Sequence, residues 1–383
     1  MNTHIVSILF LIFFLLLSIS PEKKNNQLAI PKNVILLIGD GMSYSQITAT
    51  EYFHGSLNMT SMPYHGTIST HSLNRRVTDS AAAATAIATS HKTRNGMVAI
   101  LPDGTHLQTI AQYALEMGKS TALLASSHIT HATPAAFAVH HKKRGEYFNI
   151  AELFVNSDIN MILGAGSDYF LPESDGGKRK DGKNLITEMK EQGYFYINID
   201  KNIEQISEHE KVIAFIEPMN LKPYPERADQ MIRLTNSALL RLSQNPEGFF
   251  FMIEGSQIDW AGHDRNADWM IQEMIDFDNV IGSVLEFAEK DGNTLVVVTS
   301  DHETGGLTLP AGRFGNSDEF RYKFSTRRHT AQQVPLFSYG PSAELFTGSF
   351  DNTDIARKLF SLWGKQIEEP DSIGMELHQS IKK

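Results

Sequence analysis

The chain of 383 residues contains no cysteine. That excludes disulfide cross-links, thiol nucleophiles and thiolate metal sites. Any metal must be held by imidazole, carboxylate and hydroxyl groups. A basic surplus is also missing: 34 Lys and Arg stand against 44 Asp and Glu, a net charge of −10. Nucleic-acid binding, which needs a basic face, is not expected. Internal repeats and long low-complexity linkers are absent. What remains is a globular composition, 41% hydrophobic and 20% charged, long enough for one large α/β domain or two ordinary ones.

The first twenty residues stand apart. Ile5 to Ser20 carry no charge, and Pro21, Glu22, Lys23 and Lys24 follow. The run reads as a secretory signal, so the protein is expected to be exported, periplasmic or extracellular. Met1 to His4 lack Lys and Arg and the run is long, so an uncleaved N-terminal membrane anchor is the alternative. The expected limits are a signal or anchor at 1–20, one domain at 26–368 and a polar tail at 369–383.

Continuous apolar runs at 33–42, 120–127, 159–166, 248–257 and 293–306 predict buried parallel strands, because they do not alternate with polar residues. Amphipathic helical patterns lie between them, notably at 106–118 and 266–292. Strands alternating with helices predict an α/β fold with a doubly wound, mostly parallel central sheet and helices on both faces. The polar stretches 172–184 and 313–328 read as surface loops. Gly-Lys-Ser at 118–120 is not a phosphate loop, since Tyr113 stands where the first glycine is required.

Three of the strands run into acids: Asp40, Glu254, and Asp301 with His302. In open α/β sheets the site lies beyond the carboxyl ends of the strands. Acids gathered there need protons or cations, and the adjacent histidine favours a metal. "EGSQIDWAGH" adds Asp259 and His263, four residues apart and so on one face of a helical turn. "VTDSAAAATAIATS" places Asp79 and Ser80 at the head of an alanine run. By itself that pair reads as a helix cap, or as a nucleophile at the positive end of a helix. His131 and Thr133, the basic run His140 to Arg144, and His329 are weaker candidates.

Together "LLIGDGM", "TDSAAAATA", "HATPAAFAVHHKKR", "IEGSQIDWAGH", "TSDHETGG" and "RRHTAQQVP" resemble the alkaline phosphatase family, in the family's order, over residues 31 to 364. The resemblance implies a homodimeric enzyme with two Zn2+ and one Mg2+ per chain, acting on small phosphate monoesters. Ser80 would be the nucleophile and become phosphorylated. One zinc would be held by Asp259, His263 and His329, the second by Asp40, Asp301 and His302. The magnesium would lie on Asp40, Thr133 and Glu254. Arg144 would grip the phosphate, with Asp79 orienting it. His131 and Trp260 stand where some members have Asp and Lys, and are expected to flank the third metal and the phosphate. The short segment between His302 and His329 implies a reduced cap. A phosphodiesterase of the same superfamily, or a phosphate- or metal-binding protein without activity, is the alternative. A sulfatase is not expected, since no cysteine exists to be converted and Ala84 stands at its arginine position.

Overall fold

The structure is a computed structural model that describes residues 29–198, 200–313 and 316–367. The segments 1–20 and 369–383 lie outside the described residues. Among those described, no helix is long and apolar enough to cross a membrane.

The strands in chain order are β1 (Asn33–Gly39), β2 (Tyr64–Ser69), β3 (Ser120–His128), β4 (Met161–Ala165), β5 (Phe195–Ile197), β6 (Val212–Glu217), β7 (Phe249–Gly255), β8 (Thr294–Thr299), β9 (Glu303–Thr304), β10 (Leu307–Arg313), β11 (Asn316–Phe324), β12 (His329–Thr330), β13 (Val334–Tyr339) and β14 (Gly348–Asp351). Ten of them form one sheet in the order β14-β2-β13-β8-β1-β7-β3-β4-β6-β5. Only β13 runs antiparallel to its neighbours, β2 and β8.

The five apolar runs all became strands because both sheet faces are covered. Along β1, Val34, Leu36 and Ile38 pack into one core, and Ile35 and Leu37 into the other. Helices Ser80–Thr89, Ala132–Ala138 and Thr353–Leu362 contribute to the first core, and the 25-residue helix Ala267–Asp291 to the second. Each fully buried Ile, Leu or Phe contributes about 1.5–3 kcal/mol relative to exposure, so this double coverage carries most of the fold.

The alanine run forms the helix Ser80–Thr89, with every residue buried. Asp79 caps it, accepting from Ala82 N at 3.0 Å. Its small side chains let it pack closely against helices Ala132–Ala138 and Thr353–Leu362. Helix Ile110–Glu116 starts at a reciprocal cap between Thr109 and Gln112, three residues inside the predicted span.

One expectation is corrected. Residues 313–328 are not a loop. Their first part forms β11, paired antiparallel with β10 from Leu307–Phe324 outward. The charges hid a period of two: Tyr322 and Phe324 pack on the core, while Arg321 and Lys323 are exposed. The loop at 172–184 is anchored more firmly than its charge suggests. Arg179 is fully buried, donating at 3.0 Å to both Phe148 O and Tyr169 O.

Candidate active site

The neighbouring strands β8, β1 and β7 deliver the acids to one place. Asp40 follows β1 and is tied by its N–H to Gly255 O at 3.2 Å, while Glu254 pairs across from Ile38. Asp301 and His302 follow β8, and Asp301 Oδ1 accepts from Gly41 N at 3.2 Å. His302 Nε2 lies 3.2 Å from Asp301 Oδ2, 3.5 Å from Asp40 Oδ1 and 3.3 Å from Ser80 Oγ. The head of the alanine helix thus points its serine at the group formed by Asp40, Asp301 and His302.

A second group stands beside the first. Asp259 and His263 share one face of the helix Gln257–Asp264, as their spacing predicts, 3.3 Å apart. His329 Nε2 lies 3.4 Å from Asp259 Oδ1 and 3.2 Å from His263 Nε2. Backbone carbonyls fix both rings: Arg327 O meets His263 Nδ1 at 2.6 Å, and Thr78 O meets His329 Nδ1 at 2.9 Å. Each Nε2 is therefore left facing Asp259. The His302 and His329 rings stack with centroids 3.5 Å apart, so the two groups adjoin.

A third group comprises Asp40, Glu254 and His131, with Thr133 beside them; these four residues are buried. Arg144 Nη2 donates to His131 Nε2 at 3.2 Å. That occupies His131 Nε2, while its Nδ1 is buried with no hydrogen-bond partner among the described residues. A ring nitrogen of His131 lies close enough to carboxylate oxygens of Asp40 and Glu254 for the three to meet at one cation. Trp260 meets His131 edge-on, ring centroids 6.3 Å apart. Arg144 Nη1 also donates to Asp79 Oδ2 at 3.2 Å, and the same oxygen accepts from Gly96 N at 2.9 Å. All thirteen residues singled out in the sequence therefore fall in one contiguous region.

The charge balance calls for cations. Burial, followed by the charges of Asp301, Asp259 and Glu254, pushes the Asp40 carboxyl well above the usual range. Burial lifts Glu254 to about 7, and burial with Asp259 lifts Asp301 to about 6. Burial holds the His302 and His131 imidazoles neutral. Burial also acts to raise Asp259, but hydrogen bonds from His263 and His329 outweigh it and hold that carboxyl well below the usual range. Asp40 Oδ1 and Oδ2, Asp301 Oδ2, Glu254 Oε1 and Thr133 Oγ1 have no hydrogen-bond partner among the described residues. An orphaned buried oxygen costs about 1–3 kcal/mol, so several at one point call for protons or cations as partners. The donor chemistry fits: imidazole with carboxylate suits zinc, and the oxygens of Asp40, Glu254 and Thr133 suit magnesium.

Comparison with known proteins agrees with this geometry. The family model described as alkaline phosphatase matches residues 31–318. The chain belongs to the alkaline phosphatase family. It is 32% identical to alkaline phosphatase 3 of Bacillus subtilis, over 90% of this chain and 91% of that one. It is 29% identical to the Escherichia coli alkaline phosphatase, over 85% and 84%. Among solved structures, a His-to-Asp variant of TAB5 alkaline phosphatase with Mg bound in the M3 site superposes with a TM-score of 0.83. That pair is 38% identical, covering 89% of this chain and all of the other. Membership identifies the chain as a metal-dependent hydrolase of the phosphatase type, with the mostly parallel sheet of its relatives.

Sequence reasoning missed the residues that brace the site. Gln46 Nε2 donates to Glu303 Oε1 at 3.1 Å, and Thr330 Oγ1 makes a close hydrogen bond with Glu303 Oε2. Glu303 thereby links the helix that follows Asp40 to the segment carrying His329. Thr304 contacts both Asp259 and His302. The "DHETGG" motif contained both residues, but nothing in their spacing distinguishes a brace from a bystander.

Proposed function

We propose that this family member is an exported phosphomonoesterase that works through a phosphoserine at Ser80, with two Zn2+ and one Mg2+ held as the resemblance implies. The observation that carries the reading is Ser80 Oγ, 3.3 Å from His302 Nε2, at the edge of a nest of carboxylate oxygens without hydrogen-bond partners. A protein that merely bound phosphate or metal would not need a serine hydroxyl there. Asp259, His263 and His329 would hold one zinc, Asp40, Asp301 and His302 the other, and Asp40, Thr133 and Glu254 the magnesium. When bound, such ions supply Lewis-acid charge for the attacking and leaving oxygens of an in-line displacement.

The chain's own groups then divide the work. Arg144, held by Asp79, presents its planar fork to two non-bridging phosphate oxygens. Ser80 gives up its proton to solvent, and its Oγ attacks phosphorus opposite the ester oxygen. The P–O ester bond breaks, and the leaving alcohol takes a proton from water. A water molecule next attacks the phosphoserine from the vacated side, releasing Oγ and inorganic phosphate. Positioning and charge dominate such transfers, so no further side-chain acid is required.

The monoester reading is favoured over the diester one because Ser80, Thr133, Glu254 and Arg144 are all present, the set that the resemblance assigns to the nucleophile, the third cation and the phosphate grip. Export rests on the apolar run at 5–20, with an uncleaved anchor as the alternative, and dimerisation rests on the family. Hydrolysis of p-nitrophenyl phosphate tests the activity: chelation and Ser80→Ala should each abolish it. A fully active Ser80→Ala protein would exclude the phosphoserine.

A further inference from the structure

Thr304 stands between the two histidine-bearing halves of the site. It is fully buried on β9, directly opposite His329 of β12. Its Oγ1 makes a close hydrogen bond with Asp259 Oδ1 and lies 3.3 Å from His302 Nδ1. A hydroxyl has one proton to give. The Thr304 hydroxyl donates to Asp259 Oδ1, so its one proton is spent there. The other contact then requires a donor, and the only hydrogen on offer is the one on His302 Nδ1. With that proton on Nδ1, Nε2 keeps its lone pair toward Ser80, Asp40 and Asp301.

The backbone is shaped around this side chain. A Cβ at Gly41, where φ is +80°, would come within 2.9 Å of Thr304 Oγ1 and 2.7 Å of Asp259 Cα. A Cβ at Gly262 would come within 3.0 Å of Thr304 Cγ2. Both glycines give up side chains so that Thr304 can sit against the segments carrying Asp40 and Asp259. The methyl group packs on Gly262, which leaves the hydroxyl one orientation.

We infer that Thr304 is a positioning residue that joins the two zinc half-sites, orienting Asp259 and fixing the His302 tautomer through one hydroxyl. The inference rests on the two-cation reading given above. It predicts that cation binding at either half depends on a residue that ligates in neither. Groups that orient metal ligands typically change affinity by about 10–100-fold when removed.

Thr304→Val keeps the shape and removes the hydroxyl, whereas Thr304→Ser keeps the hydroxyl and removes the methyl. Two readouts separate positioning from packing. The first is the 15N resonances of His302 in the metal-free protein, assigned by their loss in His302→Gln. Native protein and Thr304→Ser should carry the proton on Nδ1, and Thr304→Val should transfer it to Nε2. The second is the affinity for zinc alone, by competition with a chromophoric chelator. Thr304→Val should lose about 10–100-fold and Thr304→Ser should stay near native. A Val variant with native tautomer and native affinity overturns the inference. If Thr304→Val does not fold, the native His302 spectrum decides, and a proton on Nε2 overturns it. If the native protein takes up no zinc, the two-cation reading fails by itself, and the tautomer still decides the role of Thr304.

Discussion

Asp79 does three things with two oxygens, and substitution can separate them. Oδ1 caps the nucleophile helix through Ala82 N, while Oδ2 accepts from Gly96 N and from Arg144. A helix cap contributes about 1 kcal/mol, and a single backbone hydrogen bond contributes about as much. The pair with Arg144 is partly exposed, at 20% for Asp79 and 24% for Arg144, so it too is worth about 1 kcal/mol rather than a buried pair's several. Asp79→Ala should therefore lower unfolding stability by about 2–3 kcal/mol. It should also free Arg144 and weaken inhibition by phosphate about fivefold, the equivalent of about 1 kcal/mol. Asp79→Asn keeps the cap through its amide oxygen but turns an NH2 toward Gly96 N and Arg144. It should recover about 1 kcal/mol of the stability while leaving phosphate inhibition as weak as in the alanine variant or weaker. Denaturant unfolding and phosphate Ki against p-nitrophenyl phosphate measure both. Unchanged Ki in both variants would refute the claim that Asp79 holds the phosphate-gripping arginine.

Zinc binding should release protons near neutral pH, because Asp301 is held up at about 6 by burial and by Asp259, and His263 at about 9 by its hydrogen bond to Asp259. Both must give up protons to the cations, so affinity rises with pH from 6 to 9; calorimetry in buffers of different ionisation enthalpy measures it, and proton uptake would contradict it. Arg227→Ala should cost about 3–5 kcal/mol in unfolding stability, since Arg227 is buried between Glu273 and Asp276 at 2.6 Å from each and its loss leaves two buried carboxylates uncompensated. Trp260→Lys adds a cation beside His131, and should tighten phosphate inhibition and make activity more dependent on magnesium; unchanged values for both would mean that Trp260 only packs.

The sheet was legible because strands buried on both faces lose their alternation, so the runs around Leu36, Phe251 and Val297 announced themselves. The ligands were legible for a related reason: a strand that ends on an acid at the centre of such a sheet has few other uses. Asp40, Glu254 and Asp301 were visible as a set even before any resemblance. Arg144 was not, since a run of basic residues looks like a solvated face until the fold brings it to Asp79. β11 was hidden because its outward charges masked a half-buried alternation. Thr304 and Glu303 were hidden for a deeper reason. Their roles depend on which atoms converge from β9, β12 and the helix Gln257–Asp264, and no local pattern encodes convergence.

The most direct test of the account is to trap the intermediate. Metal-loaded protein is mixed with p-nitrophenyl phosphate, quenched in acid and digested, and the peptide containing Ser80 is weighed by mass spectrometry. The account predicts one added phosphoryl group on Ser80 in the native protein, none after chelation and none in Ser80→Ala. Full turnover with no phosphate on Ser80, retained in Ser80→Ala, would contradict it.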